Sequence, residues 1–166
     1  SYMSYYVNVV TADGVSYTYP TDTDKKSSVN KVVSISIKDG KAQLAGEITP
    51  SNVSGTVSYS DMSIGNNPVS ENVKIIDVAN TVYSDVPLYV KTYIQRLDGI
   101  TLKSGDVLYA KKDSKGQISE MIVKNATGDM YSYGIVTSVT KGNENISSTA
   151  TIESNGTTYT VSGMQG

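Results

Sequence analysis

Sixteen carboxylates, fourteen cationic side chains and an abundance of hydroxyls make up the chemically active inventory of this sequence, which has no histidine and no cysteine. That absence removes His-assisted serine triads, thiol nucleophiles and most zinc sites at once. A Ser-Lys dyad remains open in principle. However, Ser104 beside Lys103 and Ser114 beside Lys115 are neighbours in turns, and neighbouring residues on a strand point to opposite faces. Glycoside cleavage would need two acids facing each other across a cleft. Asp13, Asp39, Asp98, Asp106, Asp113 and Asp129 sit instead mostly in turns, where aspartate caps its own backbone. No catalytic residue is therefore assigned, and the chain is expected not to be an enzyme.

Two weaker sites can be named. Asp22-Thr23-Asp24 sets two hard carboxylates in a polar loop and is a candidate Ca²⁺ site, although it lacks the further acids and fixed glycine of a recognised calcium loop. Tyr5 and Tyr6 (with Tyr2) near one end, and Tyr131 and Tyr133 further on, could present amphipathic rings to a sugar or peptide. Core and sheet-margin packing is the competing role for those rings. No cofactor is expected. Exported β domains can also carry a Lys-Asn amide cross-link assisted by a buried acid; the residue types are present, but no trio stands out. Four N-x-[ST] sequons, at Asn52, Asn125, Asn145 and Asn155, follow from the Asn/Ser/Thr-rich composition.

The elements that must hold these residues are strands. Phe and Trp are absent and 13 tyrosines are present, so Val, Ile and Tyr must build the core. The charged fraction is 18%. Apolar positions alternate with polar ones between glycine corners: Tyr5–Thr11 and Val15–Tyr19 around Asp13-Gly14, and Val33–Ile37 and Ala42–Ile48 around Asp39-Gly40. The second of these is the cleanest alternation, predicting one buried and one wet face. The central hairpin, 100–123, carries apolar residues on both faces of both arms: Val107 and Tyr109 against Leu108 and Ala110, Ile118 and Ile122 against Met121 and Val123. Strands of that kind are covered on two sides. Residues 88–97 are ambiguous. Tyr89, Tyr93 and Leu97 fit a helix capped near Ser84 or Asp85, but β-branched alternation favours a strand.

The expected fold is all-β, with antiparallel hairpins forming one or two small barrels or sandwiches, OB-like among them, and little or no helix. The Ile64-Gly65-Asn66-Asn67-Pro68 loop is the expected boundary between units 1–68 and 69–166. Asp13–Tyr19 and Asn155–Val161 share the pattern [DN]-G-x-[ST]-Y-T-x, so residues 133–166 can be read as the opening of a next repeat. A chain of 166 residues buries roughly 70% of its unfolded surface.

Net charge is −2 and Arg96 is the sole arginine, which argues against a nucleic-acid partner. No apolar run reaches the ~20 residues of a membrane helix, so no membrane insertion is expected. Lys25-Lys26 and Lys111-Lys112 read as guards of strand ends and edges. The lack of cysteine and the Ser/Thr/Asn/Gly-rich composition fit an extracellular β protein, and the chain is read as a piece excised from a longer secreted one.

The segment LDGITLKSGDVLYAKKDSKGQISEMIV, followed by YSYGIVTSV, resembles repeat modules of large exported proteins of Gram-positive bacteria that also carry S-layer-homology domains. The shared pattern is an L-x-x-I/L-x-x-GD turn into V-x-Y, a Gly-centred hairpin with an isoleucine-rich return, and a Y-G-x-V-T strand. It covers about Leu97 to Val139. The resemblance implies a small β-barrel serving as stalk, spacer or adhesive module at the cell surface, with no catalytic residues. Its expected partners are a cell-envelope polymer or neighbouring modules of the same chain. A glycan- or peptidoglycan-binding module, or an accessory domain of a secreted hydrolase, are the alternative readings.

Overall fold

The computed structural model describes residues 4–79, 89–143 and 147–163. Expectations that rest on Tyr2, on Ser84, Asp85 and Leu88, or on Asn145 lie outside them. The fold is all-β with little helix, and among the described residues no sheet closes into a barrel.

Strands β1 (Tyr5–Val10) and β2 (Ser16–Thr21) form the first hairpin, and a single 3-10 turn follows at Lys26–Ser28. Strands β3 (Val33–Lys38) and β4 (Lys41–Glu47) form the second, around Asp39 and Gly40, both at positive φ. Then come β5 (Gly55–Ser58), β6 (Ser63–Ile64), the twelve-residue β7 (Asn67–Val78), β8 (Tyr89–Thr92), the one-turn helix α1 (Ile94–Leu97) and β9 (Thr101–Leu102). The hairpin β10 (Val107–Lys112) and β11 (Ile118–Lys124) completes a seven-stranded sheet ordered β10-β11-β7-β6-β5-β9, with β8 also paired to β7.

The covered-on-both-sides reading of the central hairpin holds for its return arm. Strand β11 lies inside the sheet between β10 and β7, and its pairing with β7 is parallel. Met121 sits opposite Ile75, Ile122 opposite Ile76 and Val123 opposite Asp77. Alternation then sends the two sets of side chains to opposite faces. Ile75, Met121 and Val123 enter the main core with Val53, Val57, Ile64, Val69, Ile94, Leu97, Leu102, Val107 and Ile118. Ile76 and Ile122 go to a smaller cluster on the other side, where Ala12 and Val10 of the first hairpin meet Val78, Leu108 and Tyr109. The antiparallel hairpins are as expected, and this parallel pair between them was not foreseen. Local alternation reports which residues face inward, not the direction of a distant partner.

Three further expectations change. The described part of the ambiguous segment, residues 89–97, is neither one strand nor one helix: Tyr89–Thr92 pairs with β7, and Ile94–Leu97 turns so that Ile94 and Leu97 plug the core. The 64–68 segment is not a boundary but a tight turn inside the sheet, with β6 and β7 hydrogen-bonded across it. A Cβ on Gly65 (φ 54) would lie 2.7 Å from the Ser54 carbonyl oxygen, and one on Gly55 (φ 128) 2.6 Å from the Gly65 Cα, so two backbones touch where only glycine fits. The compact units are instead residues 1–130 and 131–166. Finally, the cleanest alternation, β3–β4, buries only Ala42 completely and leaves Ile35 and Ile37 exposed.

The second unit holds β12 (Ile135–Thr140), β13 (Thr149–Ser154) and β14 (Thr157–Ser162) in one antiparallel sheet. It includes the segment read as the opening of a next repeat. A two-residue turn, Asn155-Gly156 with both φ positive, closes its last hairpin, whereas the related Asp13-Gly14 sits in a longer Thr11–Val15 loop. None of its described residues is buried.

Candidate functional site

The acids are spent on the fold. Asp24 Oδ1 accepts from the Lys26 amide at 2.8 Å, Asp106 Oδ2 from Lys103 at 2.8 Å, and Asp98 Oδ1 from Tyr59 at 2.8 Å. Asp113 Oδ1 accepts from Lys115 at 2.9 Å and Gln117 at 3.0 Å, holding the central hairpin's loop. Asp13 accepts from Thr11 and from the Val15 amide, and those hydrogen bonds hold its carboxyl below the usual range.

Asp22 and Asp24 are not brought together as a ligand set. Asp22 Oδ1 takes the Lys41 ammonium at 2.6 Å, and that bond keeps its carboxyl below the ordinary value. A cation there would have to displace Lys41. Asp22, Lys38, Asp39, Lys41 and Gln43 line an open polar hollow of about 220 Å³. Among the described residues, no group of three or more acids stands close enough to hold a metal.

The buried polar centre was missed by sequence reasoning. Asp77, near the end of β7, is fully buried on the main-core side. Its Oδ1 accepts from the Ala126 amide at 2.9 Å, and its Oδ2 from the Thr127 amide at 2.7 Å and the Thr127 hydroxyl at 2.6 Å. The Thr127 hydroxyl in turn accepts from the Asp129 amide at 3.0 Å, and Asp129 receives a two-pronged bond from Arg96, with Nε and Nη2 each at 3.0 Å. Arg96 Nη2 also reaches the Thr127 carbonyl oxygen at 3.3 Å. The hydrogen bond from Arg96 holds the Asp129 carboxyl below its usual range. The network ties β7, α1 and the loop after β11 into one piece. Both Asp77 oxygens are committed to Ala126 and Thr127, so the geometry matches a loop clamp and not the lysine-asparagine trio of a cross-link. The sequence signal was available: an acid inside the apolar run VKIIDV.

The tyrosines separate. Tyr5 and Tyr6 are consecutive on β1 and so face opposite sides, Tyr5 half-buried and Tyr6 exposed. Tyr131 is half-buried and Tyr133 exposed, both in the second unit. Tyr17 and Tyr19 on β2 form a ring pair, stacked with centroids 6.1 Å apart and planes 12° from parallel. Val9 and Val7 oppose them across the hairpin, and Tyr17 is 40% exposed. The i, i+2 spacing on a strand was the signal for it. Tyr109 is half-buried in the smaller core, and burial, with Glu120 beside its hydroxyl at 3.3 Å, pushes its phenol up.

No protein-family model, curated protein or solved structure matches the chain. No helix among the described residues is long and apolar enough to cross a membrane.

Proposed function

We propose that the chain is a non-catalytic structural module of a bacterial cell-surface or secreted protein, a spacer or adhesive unit of the kind its 97–139 segment resembles. The observation that carries this reading is the fate of Asp77: the buried acid gives both oxygens to backbone and hydroxyl donors of one loop. Catalytic acids keep a free oxygen aimed at a cleft, whereas a fully satisfied carboxylate rigidifies. Its chemistry is spent on fixing a loop at the end of a doubly covered sheet. Single-molecule stretching of tandem copies tests this. Residues 1–130 should yield in one sharp force event, and a gradual, featureless extension would sink the reading.

A second reading has its own observation. The stacked, part-exposed Tyr17–Tyr19 pair offers an aromatic face of the sort on which pyranose rings lie. Under it, the chain binds an envelope glycan through β2 instead of through Tyr5, Tyr6, Tyr131 and Tyr133. Titration with peptidoglycan fragments and neutral oligosaccharides should then show binding that Tyr17→Ala and Tyr19→Ala abolish. Absence of binding across that panel removes this reading.

A further inference from the structure

We propose that Asn155-Gly156 is a self-modification site: Asn155 loses its side-chain nitrogen, becoming aspartate or isoaspartate, and the isoaspartate form permanently unlatches the β13–β14 hairpin. Water is the one co-reactant. The Gly156 nitrogen attacks Asn155 Cγ, the Cγ–Nδ2 bond breaks, and ammonia leaves with the proton that the Gly156 amide gives up. Water then opens the resulting succinimide ring at either carbonyl. Opening at the backbone carbonyl reroutes the chain through the side chain and adds a methylene to the main chain.

Sequence and structure together single this pair out. It is the chain's single Asn-Gly, so no side chain on the following residue crowds the attacking nitrogen. Both residues are exposed, and a Cβ on Gly156 would meet nothing within 4 Å. β-Branched valine follows Asn8, Asn52 and Asn72, and the proline after Asn67 has no amide hydrogen to give up. After Asn30 and Asn125 the amides are held, Lys31 by the Ser28 carbonyl at 3.2 Å and Ala126 by Asp77 at 2.9 Å. The Asp-Gly pairs can form the same ring, but an ionised carboxylate is a poor electrophile. Two of the three are tied down besides: the Gly14 amide donates to the Thr11 carbonyl at 2.8 Å and the Gly99 amide to the Val57 carbonyl at 2.9 Å.

The closed turn is itself a restraint. Asn155 and Gly156 have φ of 49° and 75°, and left-handed backbone at Asn155 turns the Gly156 nitrogen away from the Asn155 side chain. Reaction therefore runs through the opened hairpin, a local fraying of strands in which no described residue is buried. Isoaspartate makes that opening irreversible. Its added methylene does not fit the two-residue turn that sets Ser154 opposite Thr157, and its carboxylate stands two residues from Glu153.

Ageing the full chain at mildly alkaline pH, followed by peptide mass mapping and isoaspartate methyltransferase labelling, tests the proposal. The peptide holding Asn155 should gain one mass unit and the methyl label before any other Asn or Asp site does. The gain should be faster in urea too dilute to unfold residues 1–130, because the hairpin must open first. Chains carrying isoaspartate should lose amide-exchange protection across residues 149–162 while residues 1–130 keep theirs. Asn155→Gly, which accepts the same positive φ and has no amide to lose, should hold its protection through the same incubation. An unchanged mass at Asn155 overturns the proposal. So does an equal rate at Asp39 or at another asparagine, a rate indifferent to urea, or an isoaspartate hairpin as protected as the fresh one.

Discussion

The seven-stranded sheet of residues 1–130 and the three-stranded sheet of residues 131–166 are written in the same alphabet, yet only the first has a core. Val, Ile and Tyr alternate with Ser and Thr in both. In the first, Ile75 and Ile76 of β7 are buried on opposite faces, because other strands, α1 and the first hairpin cover them. In the second, Ile135, Val136 and Val139 stay exposed. Alternation thus makes a strand, and coverage makes a core. The hydrophobic contribution of an apolar side chain follows the area it removes from water, so equal sequence patterns carry unequal stability.

Substitution can break that comparison. Ile75→Ala should cost about 2–5 kcal/mol in denaturant unfolding, while Val161→Ala should cost under about 0.5 kcal/mol. Equal costs would show the contrast to be false. Glycine replacements sharpen it: Gly55→Ala, which meets backbone at 2.6 Å, should cost about 2–4 kcal/mol, whereas Gly156→Ala, with nothing within 4 Å, should cost only the left-handed penalty of about 1–2 kcal/mol. Asp77→Ala strips the acceptor from two amides and should lower stability by about 2–3 kcal/mol, with the loss read as early proteolysis near residues 125–130.

Acid gives the smallest effect. The Asp13, Asp22 and Asp129 carboxyls are all held below the ordinary value of 3.8 in the folded chain. Their stabilisation is complete above that value and is lost as pH falls through their lower folded-state values. A modest decline in melting midpoint below about pH 4, weaker in high salt, is expected, because these groups are exposed and screened. Arg96→Gln should flatten the Asp129 share of that decline, which pH-dependent melting would register.

Much of this fold was legible locally and little of it globally. Asp39-Gly40 and Asn155-Gly156 announce their hairpins because positive φ is a property of the residues themselves. The Gly65-Asn66-Asn67-Pro68 run looked like a linker for the same compositional reason, but here glycine serves close backbone approach inside a sheet. The parallel partner of β11 was invisible, since period-two patterning carries no direction. The ambiguous segment gave both signals because both elements are present, the four-residue strand Tyr89–Thr92 preceding a single helical turn. For the site, the turn aspartates were read as caps of their own backbone, and those at Asp13, Asp106 and Asp113 cap, whereas Asp98 reaches the amide of Tyr59, 39 positions earlier. Asp77 escaped because its donors lie some fifty positions later in the chain, at Ala126 and Thr127.

The parallel register of β7 and β11 has a consequence for biogenesis. Everything from Ala79 to Gln117 must be synthesised before the central strand meets its neighbour. A nascent chain that ends short of Lys124 has no complete hydrophobic centre, so this polypeptide condenses late. Closure over so long a stretch is slow, and the waiting strand, VKIIDV, is the segment a holdase would shield meanwhile.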